Sequence, residues 1–138
     1  MSIAGARHAL NKYNQNAVQI GVESATPHRL IQMLMEGALS KIAAAKGHME
    51  RGEIQPKGEH VGGAIAILEA LKASLDVDKG GEIAQNLDDL YTYMARRLIE
   101  AHAANDSTVL DEVSDLLKQI KEAWEAIAEH AASREPAA

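Results

Sequence analysis

Residues 80–98 read "GGEIAQNLDDLYTYMARRL". Ile83, Leu87, Leu90, Met94 and Leu98 recur at steps of four and three, and Ala101 continues the series. Such a series is one apolar stripe along an α-helix, and the two glycines ahead of it mark a start near Gly81. At about 100° per residue, Ala84, Tyr91, Ala95 and His102 fall along one flank of the stripe, and Asn86, Tyr93, Arg97 and Glu100 along the other. Two readings of the flanks stay open. Either both flanks meet neighbouring helices, with Tyr93 pairing with Asp89 or Arg97 one turn away, or tyrosine and arginine serve as anchors for a partner lying in a groove. Spacing alone does not choose between them.

Working outward, the same period appears three more times. Thr26-Pro27 is an N-cap residue followed by proline at the first helical position, and Ile31, Met35, Ala38, Ile42, Ala45 and Met49 form the next seam, with Gly52 as the stop. A further helix is expected after Gln55-Pro56, carrying Val61, Ile65, Leu68, Leu71 and Leu75. Asn105-Asp106-Ser107 ends one helix and caps another, whose seam is Val109, Val113, Leu116, Ile120, Trp124 and Ile127. Each helix has roughly 20 to 25 residues, and short links between helices of equal length make neighbours antiparallel. The spacing therefore predicts an all-α, antiparallel four-helix bundle over residues 26–131. Residues 1–25 stand apart, with Ile3, Leu10, Tyr13, Val18, Ile20 and Val22 spread through a polar background, and residues 132–138, "ASREPAA", are expected to fray.

Composition narrows the class. A chain of 138 residues buries enough surface to fold without a metal or a disulfide, and it has no cysteine to form one. Phenylalanine is absent, so Leu, Ile, Val, Met and Ala must fill the core. The formal charge of −6 argues against nucleic acid as the main partner. No window is apolar for the length of a spanning helix, and the first residues lack a secretory signal pattern, so the expectation is a cytoplasmic protein without membrane insertion.

The second helix has a further peculiarity. Opposite its seam lie Gly62, Ala66, Ala70 and Ala73, a strip of small residues at helical spacing. Adjacent glycines weaken a helix by about 1 kcal/mol each relative to alanine, which points either to close approach of another helix or simply to an alanine-rich composition. Chemistry is sparse. None of the six histidines has a glutamate three residues before it, as inward-facing di-metal sites in bundles require, and phosphate-loop, zinc-protease and nucleophile-elbow motifs are missing. No cofactor is expected. His60, in "HVGG", resembles the phosphorylated histidine of histidine-phosphotransfer bundles, but the lysine that usually follows is replaced by Gly62 and Gly63.

The pieces Gly80-Gly81-Glu82-Ile83-Ala84, Asn86-Leu87, Leu90-Tyr91, Tyr93-Met94 and Arg96-Arg97-Leu98 resemble the signature of the FliS family, the flagellin-specific export chaperones. Thr26-Pro27, Met33-Leu34, Glu36-Gly37-Ala38, Leu75-Asp76, Leu116-Leu117 and Ala123-Trp124 extend the resemblance over most of the chain. It implies a cytoplasmic four-helix bundle without enzymatic activity. Such a protein binds the disordered C-terminal segment of flagellin, prevents premature polymerisation and supports delivery to the flagellar export gate. An anti-sigma factor or another assembly regulator is a further partner to consider. The resemblance also implies that residues 1–25 cap the bundle and move when flagellin binds. Tyr13 matches the second of two tyrosines typical of that segment, whereas Leu10 stands at the first, and Met35 and His102 stand where relatives often carry tyrosine and asparagine. The candidate flagellin-binding residues are accordingly Leu10, Tyr13, Val18, Gly62, Ala66, Ala70, Ala84, Tyr91, Tyr93, Ala95 and Arg97. Trp124, on the last seam, is assigned to the core.

Overall fold

The computed structural model describes residues 25–134, and within them the chain forms α1 (Pro27–Glu50), α2 (Ile54–Ala73), α3 (Val77–Ala104) and α4 (Ser107–Arg134) with no strand. The expected capping segment, including Leu10, Tyr13 and Val18, lies outside the described residues.

Local chemistry sets the helix ends. The Thr26 hydroxyl accepts from the Arg29 N–H at 3.1 Å while Pro27 occupies the first turn. Gly52, at φ +71°, supplies the left-handed residue that turns the chain out of α1. α2 begins at Ile54, ahead of the expected start after Pro56, because a proline in the first turn removes only an N–H that has no helical partner anyway. The Asp76 carboxylate accepts from the Lys79 N–H, Asn105 closes α3 in the left-handed region, and Asp106 Oδ1 accepts from both the Thr108 N–H and hydroxyl. Inside α3, Gly81 has φ +55° and ψ −129°, a conformation that only glycine adopts without strain. It separates a first turn, residues 77–80, from the long regular helix that follows.

The helices form a closed ring in which α1 packs on α2 and α4, and α3 on α2 and α4. Neighbours run antiparallel. Trp124 near the end of α4 donates its Nε1–H to the His28 carbonyl at the start of α1 (2.9 Å), while Lys46 near the end of α1 pairs with Asp111 near the start of α4 (2.8 Å). The core runs from Leu30 and Leu34 through Leu68, Leu71, Met94 and Leu98 to Leu110 and Leu117, all of them fully enclosed. Among the described residues, no helix is long and apolar enough to cross a membrane.

On α1 every residue of the expected seam is buried. On α3 the seam is displaced. Ala84, Tyr91, Met94, Ala95, Leu98 and Ala101 face the core, Leu87 and Leu90 are half-buried, and Ile83 is 73% exposed. The inward face therefore lies about one residue, or 100°, round from the early part of the predicted stripe. The large Tyr91 ring takes an inward position, with the small Ala84 and Ala95 buried on the same face. On α4 the inward positions include Leu110 and Leu117, and Ile127 is exposed.

Candidate functional site

Four helix ends meet around an open pocket of about 490 Å³. The start of α1 contributes Pro27, His28 and Ile31; the end of α2 and its link to α3 contribute Ser74, Leu75 and Asp76; α3 contributes Ile83, Ala84, Leu87 and Tyr91; α4 contributes Trp124. The lining is mainly apolar, as in sites that take an apolar side chain. The His28 ring stacks on the Trp124 indole at 4.4 Å with the planes only 4° apart. This pair joins α1 to α4 and forms one wall. His28 Nε2 is buried without a hydrogen-bond partner among the described residues. Burial pushes the Tyr91 phenol up to about 12, so it stays protonated at any physiological pH. Ala25, the first described residue, is itself buried and immediately precedes this mouth.

A second surface lies between α2 and α3. Gly62 and Ala66 are exposed on α2, and a Cβ added at Gly62 would meet nothing within 4 Å. At Gly63, by contrast, an added Cβ would meet the Lys41 stem at 2.6 Å. Gly63 therefore serves packing within the bundle, while Gly62 opens to the outside. On α3, Ile99 is among the exposed large apolar side chains of the described residues. Ala70, from the same small-residue strip, is buried.

The other flank of α3 is tied to α4. Arg97 donates from Nε and Nη2 to Glu112 Oε1 at 3.0 and 2.8 Å, the Tyr93 hydroxyl donates to Glu112 Oε2, and Arg97 also reaches Glu100. The Arg96 guanidinium lies 5.7 Å from the Tyr93 ring centroid. The hydrogen bond from Tyr93 and then those from Arg97 hold the Glu112 carboxyl below its usual range, and the same Glu112 contact raises the Tyr93 phenol.

The candidate residues thus separate. Ala84 and Tyr91 wall the end pocket, Ala95 belongs to the core, Tyr93 and Arg97 fasten α4, and Gly62 and Ala66 stay open on α2. The pocket's His28, Leu75, Ile83, Leu87 and Trp124 were not among the candidates. Ile83, Leu87 and Trp124 carry an apolar signal in the sequence, but that signal is shared with core residues. His60 is half-buried, with Nδ1 2.9 Å from the Pro56 carbonyl and its ring 4.9 Å from that of His48. Nothing in that setting favours phosphotransfer. Among the described residues, no group of three or more acidic, histidine or cysteine side chains is placed to hold a metal.

The sequence profile described as "Flagellar protein FliS" matches residues 9–131. The chain belongs to the FliS family. Among FliS relatives, the Pseudomonas aeruginosa protein named "Flagellar secretion chaperone FliSB" is 48% identical over 122 residues, covering 88% of this chain and 97% of that protein. The Salmonella typhimurium "Flagellar secretion chaperone FliS" is 46% identical, with 91% and 94% of the two chains aligned. The Bacillus subtilis FliS is 32% identical over 81% of this chain and 80% of its own length. FliS is a family of chaperones, which is not an enzyme class.

Proposed function

We propose that this FliS protein is a cytoplasmic chaperone that binds the disordered C-terminal segment of flagellin, prevents its premature polymerisation and supports its delivery to the flagellar export gate. The observation that carries the reading is family membership along nearly the whole chain, with relatives named as flagellar secretion chaperones. The surfaces agree with it. An unfolded segment that orders on binding needs an extended apolar face to offset its lost entropy, and the bundle offers the α2–α3 face with Gly62, Ala66 and Ile99 together with the end pocket. The work is binding, without a chemical step. An anti-sigma factor as a second partner has no support in the comparisons.

The described residues begin with Ala25 and Thr26, next to Pro27 and His28 of the end pocket. In this reading Leu10, Tyr13 and Val18 occupy the pocket while no client is bound, and the arm lowers apparent affinity by the fraction of time it is seated. Calorimetric titration with a peptide of flagellin's C-terminal region tests the function. One-to-one binding with a negative heat-capacity change is expected, as burial of apolar surface requires. Absence of binding at micromolar concentrations would refute it.

A further inference from the structure

At the opposite end of the bundle lies a second cavity, of about 360 Å³, lined by Met49, Glu53, Ile54, Lys57, His102 and Asn105 among others. Its centre of charge is unusual. Lys57 is only 6% exposed, the one buried charged side chain among the described residues. Its Nζ donates to the Asn105 side-chain oxygen at 2.9 Å and to the His102 carbonyl at 3.3 Å, both at the C-terminal end of α3. An ammonium has three N–H donors, so one is left over, and no carboxylate among the described residues pairs with it. A buried cation without a counter-charge is costly unless an anion completes it.

Two further groups around the cavity have the same want. His102 Nδ1 is buried and has no hydrogen-bond partner among the described residues, and in its protonated form it is a further donor. α2 starts at the cavity rim with Glu53 as a cap whose side chain makes no capping bond, and the N–H groups of Ile54 and Gln55 have no acceptor among the described residues. Free N–H groups at a helix start carry partial positive charge and suit an anion. The nearby Glu53 carboxylate is already engaged by His48 and Arg51 at 2.9 and 2.7 Å. Beside these donors stand the thioether of Met49 and the exposed Ile54. An apolar wall beside a cluster of unmatched donors fits a carboxylate attached to an apolar residue.

We propose that this cavity receives the terminal carboxylate of the client chain, with Lys57 as its counter-charge and Ile54 beside the last side chain. The inference rests on the proposed binding of flagellin's C-terminal segment, whose end carries such a carboxylate, and capture of a chain end by a cluster of donors is a recurring mode of peptide recognition. The test compares two forms of one flagellin C-terminal peptide, a free acid and a C-terminal amide, titrated into the full chain. Loss of a charge-assisted hydrogen bond should weaken the amide roughly tenfold or more. In Lys57→Met, with folding checked by circular dichroism, the two forms should bind within about twofold of each other. Ile54→Asp, a rim substitution that suits a helix start, should weaken the free acid more than the amide. Equal binding of acid and amide to the wild type would overturn the carboxylate site and leave the chaperone reading intact. A preference for the acid that survives both substitutions would overturn it as well. Failure of both peptides to bind would refute the flagellin reading itself, and this inference with it.

Discussion

Replacing Leu98 or Leu90 with alanine tests where the inward face of α3 lies. Leu98 is completely buried, with 0% exposure, whereas Leu90 is half-buried. Leu→Ala removes three carbons, about 2.4 kcal/mol at ~0.8 kcal/mol per buried methylene. At Leu98 the neighbours are other closed core positions, Met94 and Ala101 among them, so a residual cavity should raise the cost to about 3 to 5 kcal/mol. At Leu90, roughly half of the transfer effect remains and water fills the gap, for about 1 kcal/mol. In a domain of this size each kcal/mol lowers Tm by about 3 to 4 °C, so losses of roughly 10 °C or more and 3 to 4 °C are expected. Urea unfolding followed at 222 nm provides the free energies, with an unchanged slope as the check that the unfolded state is the same. If Leu90→Ala costs as much as Leu98→Ala, α3 is rotated relative to the description given above.

Three other outcomes are expected. The lowered Glu112 carboxyl contributes stability above its ordinary value of 4.5 that is lost as pH falls through the folded value; the Tm advantage of wild type over Glu112→Gln should therefore be full at pH 7 and shrink below about pH 4.5, and an advantage independent of pH would contradict the tie between Tyr93, Arg97 and Glu112. Ala66→Leu and Gly62→Leu, both on the open face of α2, should respectively leave Tm within about 2 °C of wild type and raise it by about 3 °C through the removed helical glycine, yet both should weaken binding of the flagellin peptide, and unimpaired binding by both would remove that face from the contact surface. Hydrogen exchange of residues 10–22 should change when the peptide is added, and removal of residues 1–16 should increase self-association; unchanged protection would mean that the arm is not a displaceable cap.

The bundle was legible because its four apolar series are long and its stops are chemically explicit. Thr26-Pro27, Gly52 and Asn105-Asp106 mark boundaries that the backbone then obeys. The rotation of α3 was not legible. Ile83, Leu87 and Leu90 make as good a stripe as Ala84, Tyr91 and Ala95, and only packing against α2 and α4 decides which one turns inward. The end pocket was hidden for a related reason: His28 and Trp124, which build its wall, are 96 residues apart. Lys57 is harder still, since a lysine in a polar stretch gives no sign of burial, and its partners at His102 and Asn105 lie 45 and 48 residues away.

The ring order of the helices has a kinetic consequence. Three of its four interfaces join helices consecutive in sequence, across links of only two or three residues. Contacts of that kind form early and cheaply in entropy, and helical proteins built on them fold on microsecond to millisecond timescales. Only the α1–α4 interface brings distant parts of the chain together. Trp124, the one tryptophan in the sequence, stands on that interface. Its fluorescence should therefore report the closing of the ring, and in a stopped-flow refolding experiment it should lag the far-ultraviolet signal of the helices themselves.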